Sequence, residues 1–355
     1  MSTFELVGTL NKVRDTEKFQ GYEEKLSSKG YKGRNLRFNC VSGNNKILLS
    51  LDSWVKEDGV VYTFSKPTSN GKGELLNIPF KDRFNPDLTA QVAEFKKNVL
   101  DLSEPNNEDK KRSEYISEWD FIEAIHSLLD NEVYKNRVFK IRGVVESRYN
   151  AEKEKWYTSY IPQRIYLVDD NATQMSRMSV VVYFNKDDWD DTGIDETGKA
   201  YINGYTLEYD NQSKKNLPCP ISIAVLKGET DNAKKVFELV KRRFAVRDNS
   251  WKECGLVAEI INGSSTVELT YDMLTDNQKE LIDLGLATLD DIRKEEGNIY
   301  GDIVREYRFY TFGRGYSNGA KDTVYEDKDF VIQSNTSLID ETTGEVIDNI
   351  EDLFE

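Results

Sequence analysis

Between Arg148 and Tyr166 the chain reads RYNAEKEKWYTSYIPQRIY, in which Arg148, Lys153, Lys155 and Arg164 alternate with Tyr149, Trp156, Tyr157, Tyr160 and Tyr166. Aromatic rings stack nucleobases at about 1–3 kcal/mol per base, and cations set between them track phosphates. The strand just ahead places Phe139 and Ile141 on one side and Lys140 and Arg142 on the other, following the two-residue period of a strand. A second stretch, residues 18–38, interleaves Lys18, Lys25, Lys29, Lys32, Arg34 and Arg37 with Phe19, Tyr22, Tyr31 and Phe38. Its glycines, Gly21, Gly30 and Gly33, suit a mobile loop. A third set, Arg308, Tyr310, Phe312, Arg314 and Tyr316, shares one face at strand spacing. Each set also has an ordinary reading: Tyr and Phe pack well in strands, and Lys and Arg guard sheet edges.

Signatures of catalysis are missing from the sequence. There is no GxxxxGK[ST], GxSxG or HExxH. The single histidine, His126, lies in the helix expected at 116–130 and reads as a packed or surface histidine, not a catalyst. Asp187, Asp188, Asp190 and Asp191 flank Trp189; a nuclease would use such acids to hold Mg²⁺, but a run of acids in a turn reads first as solvated. The chain therefore reads as a non-enzyme with no cofactor and no metal. Cys40, Cys219 and Cys254 are far apart and odd in number, which suggests reduced thiols in a cytoplasmic compartment. No apolar run approaches the roughly 18 residues of a membrane span, and no secretory signal is visible.

The net charge is −15, yet the acids are unevenly placed. Residues 329–355 hold eight acids and no Lys or Arg. A block of like charge reads as a solvated tail. Its tip, Ile350, Glu351, Asp352, Leu353 and Phe354, carries apolar groups that a solubilising tail does not need. That tip reads as a short docking peptide, with a frayed acidic end as the alternative.

These segments require strands to hold them. Leu6-Val7-Gly8-Thr9-Leu10 and Ile141-Arg142-Gly143-Val144-Val145 look alike, and Gly8 to Trp54 and Gly143 to Trp189 both span 46 residues. The spacing suggests two copies of a unit of about five short strands, each with a glycine where a small barrel bends. The expected fold is β-rich α+β, with tandem OB-like antiparallel barrels joined by helices. The expected boundaries are barrel one at 1–84, a helical linker at 85–135, barrel two at 136–230, a region at 231–316 that completes the second barrel or stands alone, and a disordered tail at 317–355. Helices are expected at 87–100, at 116–130 with Ser117 as N-cap, and at 231–244 with Ala233, Val236, Phe237, Val240 and Phe244 inward. Asn262-Gly263 reads as a hairpin turn. Thr275 and Gln278 read as a capping box that opens an α-hairpin over about 275–296.

Basic-aromatic loops on such barrels, followed by an acidic tail with an aromatic near its end, resemble large bacteriophage-encoded single-stranded DNA-binding proteins. The resemblance covers roughly residues 1–228 and 329–355. It implies sequence-independent binding of single-stranded DNA in replication and recombination. The implied contact residues are Phe19, Tyr22, Lys25, Tyr31, Lys32, Arg34, Arg37, Lys140, Arg142, Arg148, Tyr149, Lys155, Trp156, Tyr157, Tyr160, Arg164, Arg308, Tyr310, Phe312 and Arg314. It also implies that the tail recruits replication or recombination proteins and competes with DNA for the basic groove. A virion or protein-interaction component and a single-stranded RNA binder are the alternatives, since stacking platforms do not sense the 2′-OH.

Overall fold

Strand β1 (Ser2–Lys12) turns Phe4, Leu6 and Leu10 inward on alternate positions. The chain then forms β2 (Tyr22–Leu26), β3 (Lys32–Ser42) and β4 (Asn45–Val55). A separate hairpin follows, β5 (Val60–Phe64) with β6 (Leu75–Pro79). Two short strands, β7 (Asn98–Asp101) and β8 (Arg112–Tyr115), precede the helix Glu118–Asp130, and β9 (Val138–Asn150) and β10 (Lys155–Leu167) return as a long hairpin. Pairing runs β1–β3–β4–β10–β9 and back to β1, so five strands close into a ring with β4 and β10 parallel. Ser117 caps the helix by accepting a hydrogen bond from the Trp119 amide at 3.2 Å. The helix buries Phe121, Ile122, Ile125 and Leu128 in the cluster that holds Phe38, Leu49 and Phe139. Each such buried side chain contributes about 1.5–3 kcal/mol.

The same order then repeats. β11 (Met175–Phe184), a two-residue β12 (Trp189–Asp190), β13 (Lys199–Asp210) and β14 (Lys215–Leu226) lead to the helix Asp231–Phe244, then β15 (Lys252–Thr266) and β16 (Tyr300–Phe312). The second ring runs β11–β13–β14–β16–β15 and back to β11, again with its third and fifth members parallel. Its β11–β13 seam is the single pair Tyr183–Tyr205. Both rings are five-stranded Greek-key arrangements with a helix between the third and fourth strands. The computed structural model describes residues 2–332 except 18, 68–70, 72, 105–110, 211–212, 247, 267–274, 285, 287 and 289–299, plus a two-residue ladder at 338–339 and 346–347.

The rings therefore use residues 2–167 and 175–312, not 1–84 and 136–230. Gly8 and Gly143 are not equivalent positions of two copies; they lie on adjacent strands of one ring, with Gly8 opposite Phe139 and Phe4 opposite Gly143. Both are glycine because the first and fourth strands bend against backbone: an added Cβ would stand 2.2 Å from the Val41 carbonyl oxygen at Gly8 and 2.0 Å from that of Ile161 at Gly143. Trp54 ends β4, whereas Trp189 follows β11, so the 46-residue spacing does not mark a repeat. Residues 87–100 hold two separate short helical turns, Pro86–Thr89 and Glu94–Lys96, and then strand β7, which buries Val99 and Leu100. In the helix Asp231–Phe244, Phe237, Val240 and Phe244 are buried but Val236 is exposed. The Thr275–Gln278 capping box forms at the helix Asp276–Asp283, and the second half of the expected α-hairpin lies outside the described residues.

The rings join through their first strands, β1 antiparallel to β11 from Thr3–Ser179 to Val7–Met175. Asn262-Gly263 is not a turn; β15 runs straight through it. Asn262 Nδ2 donates to the Lys46 carbonyl at 2.8 Å. A Cβ on Gly263 would meet the Asn44 carbonyl oxygen at 1.8 Å, so the glycine admits the β3–β4 turn of the other ring. After β16, residues 321–330 lie on the second ring instead of in a tail. β17 (Lys321–Asp322) pairs with β15, and Phe330 stacks on Trp251 at 3.6 Å and 18°, both rings buried. Trp251 Nε1 donates to Asp327 at 2.7 Å. Among the described residues no helix is long and apolar enough to cross a membrane.

Candidate nucleic-acid interface

Gly33 on β3 faces Trp54 on β4 across the ladder. A Cβ at Gly33 would stand 2.8–2.9 Å from three carbons of the indole, so the glycine leaves the space in which that ring lies against β3. Trp54 is still 48% exposed, Tyr31 43% and Tyr62 71%. The three rings border one open cavity of about 560 Å³, together with Phe80 and Lys56. Lys32 and Lys56 stand beside it, paired with Glu57 at 2.7 Å and Asp58 at 3.2 Å. These ion pairs are exposed and weak. Tyr31 and Lys32 are among the contact residues expected from the sequence. Trp54 and Tyr62 are not, because their convergence depends on strand register and on the β5–β6 hairpin.

Tyr22, Arg34, Arg37 and Lys25 of the first stretch have structural partners. Tyr22 stacks on His126 at 4.0 Å and 12°, and its hydroxyl donates to Glu24 at 2.6 Å. Burial first, then that hydrogen bond, push the Tyr22 phenol up to about 12. The Arg34 guanidinium lies 4.0 Å from the Trp119 ring and pairs with Glu24 at 3.0 Å and Glu123 at 2.9 Å. Tyr22 and Arg34 thus hold the loop to the helix. Arg37 lies over Phe19 at 5.0 Å, and Lys25 pairs with Glu23 at 2.7 Å.

On the β9–β10 hairpin the two faces differ. Tyr157 opposite Arg148 and Arg164 opposite Arg142 are on the outer side. Tyr157 is half exposed, and Arg148 pairs with Glu146, two positions away, at 3.0 Å. Lys155, at the tip, is exposed. Trp156 and Tyr149 share the other face, 5.4 Å apart, and the Trp156 indole nitrogen is buried. Tyr160 also turns inward: it meets Phe4 edge-on at 5.6 Å and hydrogen-bonds Tyr307 of the second ring. Lys140 and Arg142 both pair with Glu5 on β1. Burial raises the Glu5 carboxyl, but the two cations outweigh it and hold the group below its usual range.

The third set does not share one face. The β15–β16 register slips between Val257 and Ala258, leaving Tyr310 as the extra residue of a bulge. Phe309 and Phe312 then both reach Phe244 of the helix, at 5.9 and 5.4 Å, so Phe312 packs inward. Tyr310 stays on the surface beneath the Arg177 guanidinium, 3.6 Å from its ring centre. Arg308 pairs with Glu306, and Arg314 is exposed. Lys18 and the tip Ile350, Glu351, Asp352, Leu353 and Phe354 lie outside the described residues.

Three of the four aspartates around Trp189 are engaged. Asp188 accepts from the Asn185 amide, Asp190 from Thr192, and Asp191 pairs with Lys241. Among the described residues no three His, Cys, Asp or Glu side chains gather as a metal site. Cys40, Cys219 and Cys254 are free and buried.

No family model matches this chain, and no curated protein does. Among solved structures it is similar to the wild-type single-stranded DNA binding protein from Thermus aquaticus, with 9% identity, 74% of this chain and 85% of that chain covered, and a TM-score of 0.31. A deletion mutant of the same protein gives 8% identity, coverage of 74% and 87%, and a TM-score of 0.31.

Proposed function

We propose that this chain binds single-stranded DNA without sequence preference, with bases stacked on Trp54, Tyr31 and Tyr62. The observation that carries this reading is the Trp54 ring lodged in the space above Gly33, with nearly half its surface open beside two other exposed rings. A ring fixed before the ligand arrives loses little freedom on binding, and every base has a face to offer it. In OB-type barrels the second and third strands and their loops carry oligonucleotides; in the first ring these are β3 and β4. Lys32 and Lys56 would exchange exposed carboxylates for phosphates, so affinity falls with salt. In the second ring Tyr205, on the equivalent of β3, lies under Phe330 at 5.5 Å, so that ring is not free to stack a base. Residues 333–355, with seven acids and no base, end in Leu353-Phe354-Glu355. They suit a peptide read by replication or recombination proteins of a bacteriophage-type system, and one that competes for the cationic surface.

Anisotropy titration of labelled oligo-dT, with duplex DNA and oligo-U as controls, tests the reading. Tight, salt-sensitive binding of oligo-dT with weak duplex binding is the expected result, and Trp54→Ala should weaken it by at least about tenfold. Equal binding of duplex, or an unaffected Trp54→Ala variant, would remove the platform from the account. Oligo-U bound as well as oligo-dT would widen the ligand to single-stranded nucleic acid in general.

A further inference from the structure

Five ladders are in register along one line across the ring junction. Arg164 on β10 faces Arg142 on β9, Arg142 faces Glu5 on β1, Glu5 faces Arg177 on β11, Arg177 faces Glu259 on β15, and Glu259 faces Arg308 on β16. Residues directly opposite in a ladder share a face, so four guanidinium side chains and two carboxylates form one row. At its centre Arg142, Arg164 and Arg177 line an open groove of about 500 Å³ with Glu5, Gln163 and Phe95. The Arg177 Nε is buried and has no hydrogen-bond partner among the described residues, and a buried donor left without an acceptor is costly. Arg164 uses one donor on the Glu94 carbonyl at 2.8 Å, of the five a guanidinium offers.

The groove connects to the aromatic platform. Phe95 lines it and is 64% exposed. The next residue, Lys96, places its ammonium 5.7 Å from the Phe95 ring and 5.2 Å from that of Phe64. Phe64 and Tyr62 are both exposed, two residues apart on β5. Trp54, Tyr62, Phe64, Lys96 and Phe95 thus lead from the platform to the arginines.

We propose that this groove is a phosphate site, which holds the backbone of a single strand as it passes from the first ring onto the second. The inference rests on the single-strand reading above. Planar guanidinium groups bind phosphate oxygens in pairs, and Arg142, Arg164 and Arg177 present three of them to one groove. Glu5 limits the site, because it already engages Arg142 and Lys140.

The test compares an oligo-dT of about 4 nucleotides, the low end of a single-barrel site and enough only for the three rings of the platform, with one of about 30. In the Arg142→Gln/Arg164→Gln double variant the short oligomer should bind as in wild type. The long one should lose about tenfold at low salt, and the slope of log K against log salt should shrink by about 1.4 for two lost phosphate contacts. Glu5→Gln, which alters no cation, should tighten the long oligomer and steepen its slope, an effect a merely structural role does not produce. An unchanged slope and affinity for the long oligomer in the double variant would overturn the phosphate site while leaving the platform standing. Failure of wild type to bind either oligomer would instead overturn the single-strand reading, and this site with it. Equal competition for the groove by duplex DNA would also overturn the assignment.

Discussion

The phenol oxygens of Tyr160 and Tyr307 lie 2.9 Å apart, one on the fifth strand of each ring. Burial first, and then the neighbouring phenol, push Tyr160 far above the ordinary tyrosine range. Each hydroxyl is the other's partner across the junction. Tyr160→Phe or Tyr307→Phe alone leaves one half-buried hydroxyl without its partner and should cost about 1 kcal/mol. The double variant should cost clearly less than the sum, which a denaturation double-mutant cycle reads directly. Strict additivity would show that the bond contributes nothing to holding the rings together.

Gly8 and Gly33 should respond differently to an added methyl. At Gly8 the new Cβ meets the Val41 backbone at 2.2 Å, and Gly8→Ala should lose about 1–3 kcal/mol of stability. At Gly33 it meets the Trp54 ring, which can swing away. Gly33→Ala should therefore weaken oligo-dT binding more than it lowers the melting temperature. Calorimetry and anisotropy on the same two variants separate these effects.

Phe330 and Trp251 fix where a tail truncation should begin. Phe330→Ala empties a buried stacking place and should cost about 3 kcal/mol, with Trp251 emission shifting to the red. Removing residues 333–355 keeps that stack and, on the competition model, tightens oligo-dT binding. Removing residues 317–355 deletes the stack and should destabilise the second ring. If the shorter truncation leaves affinity unchanged at low salt, the tail does not compete.

Lys97 is nearly buried, with its ammonium 2.8 Å from Glu114 and 3.0 Å from Glu94. The Lys97 hydrogen bond, ahead of the opposing burial, holds the Glu114 carboxyl below its ordinary 4.5. A depressed carboxyl stabilises the fold above its ordinary value, and the contribution is lost as pH falls through the folded value. Glu114→Gln should thus cost about 1–3 kcal/mol at neutral pH and nearly nothing in strong acid, measured by urea denaturation across pH. A pH-independent cost would mean that shape, not charge, matters at this site.

Local chemistry was legible in the sequence; long-range pairing was not. The Ser117 cap, the inward Phe237 and Phe244, and the alternation of Phe139 and Ile141 with Lys140 and Arg142 all follow from nearest-neighbour patterns. The ring boundaries do not, because β9 and β10 return to β1 and β4 only after the helix, and no local signal near residue 84 announces this. Gly8 and Gly143 imitate a repeat because both bend against a carbonyl. Tyr310 escapes strand alternation through a bulge set by its partner strand. Trp54 becomes a platform through Gly33, 21 positions earlier, and Arg177 joins Arg142 only through β1.

Intrinsic tryptophan fluorescence during titration with oligo-dT, at low and high salt, in wild type and Trp54→Phe, tests the central claim most directly. The account predicts quenching in wild type that salt reverses, and loss of most of that quenching in Trp54→Phe. Absence of any response at low salt, or equal quenching in the two proteins, would contradict it.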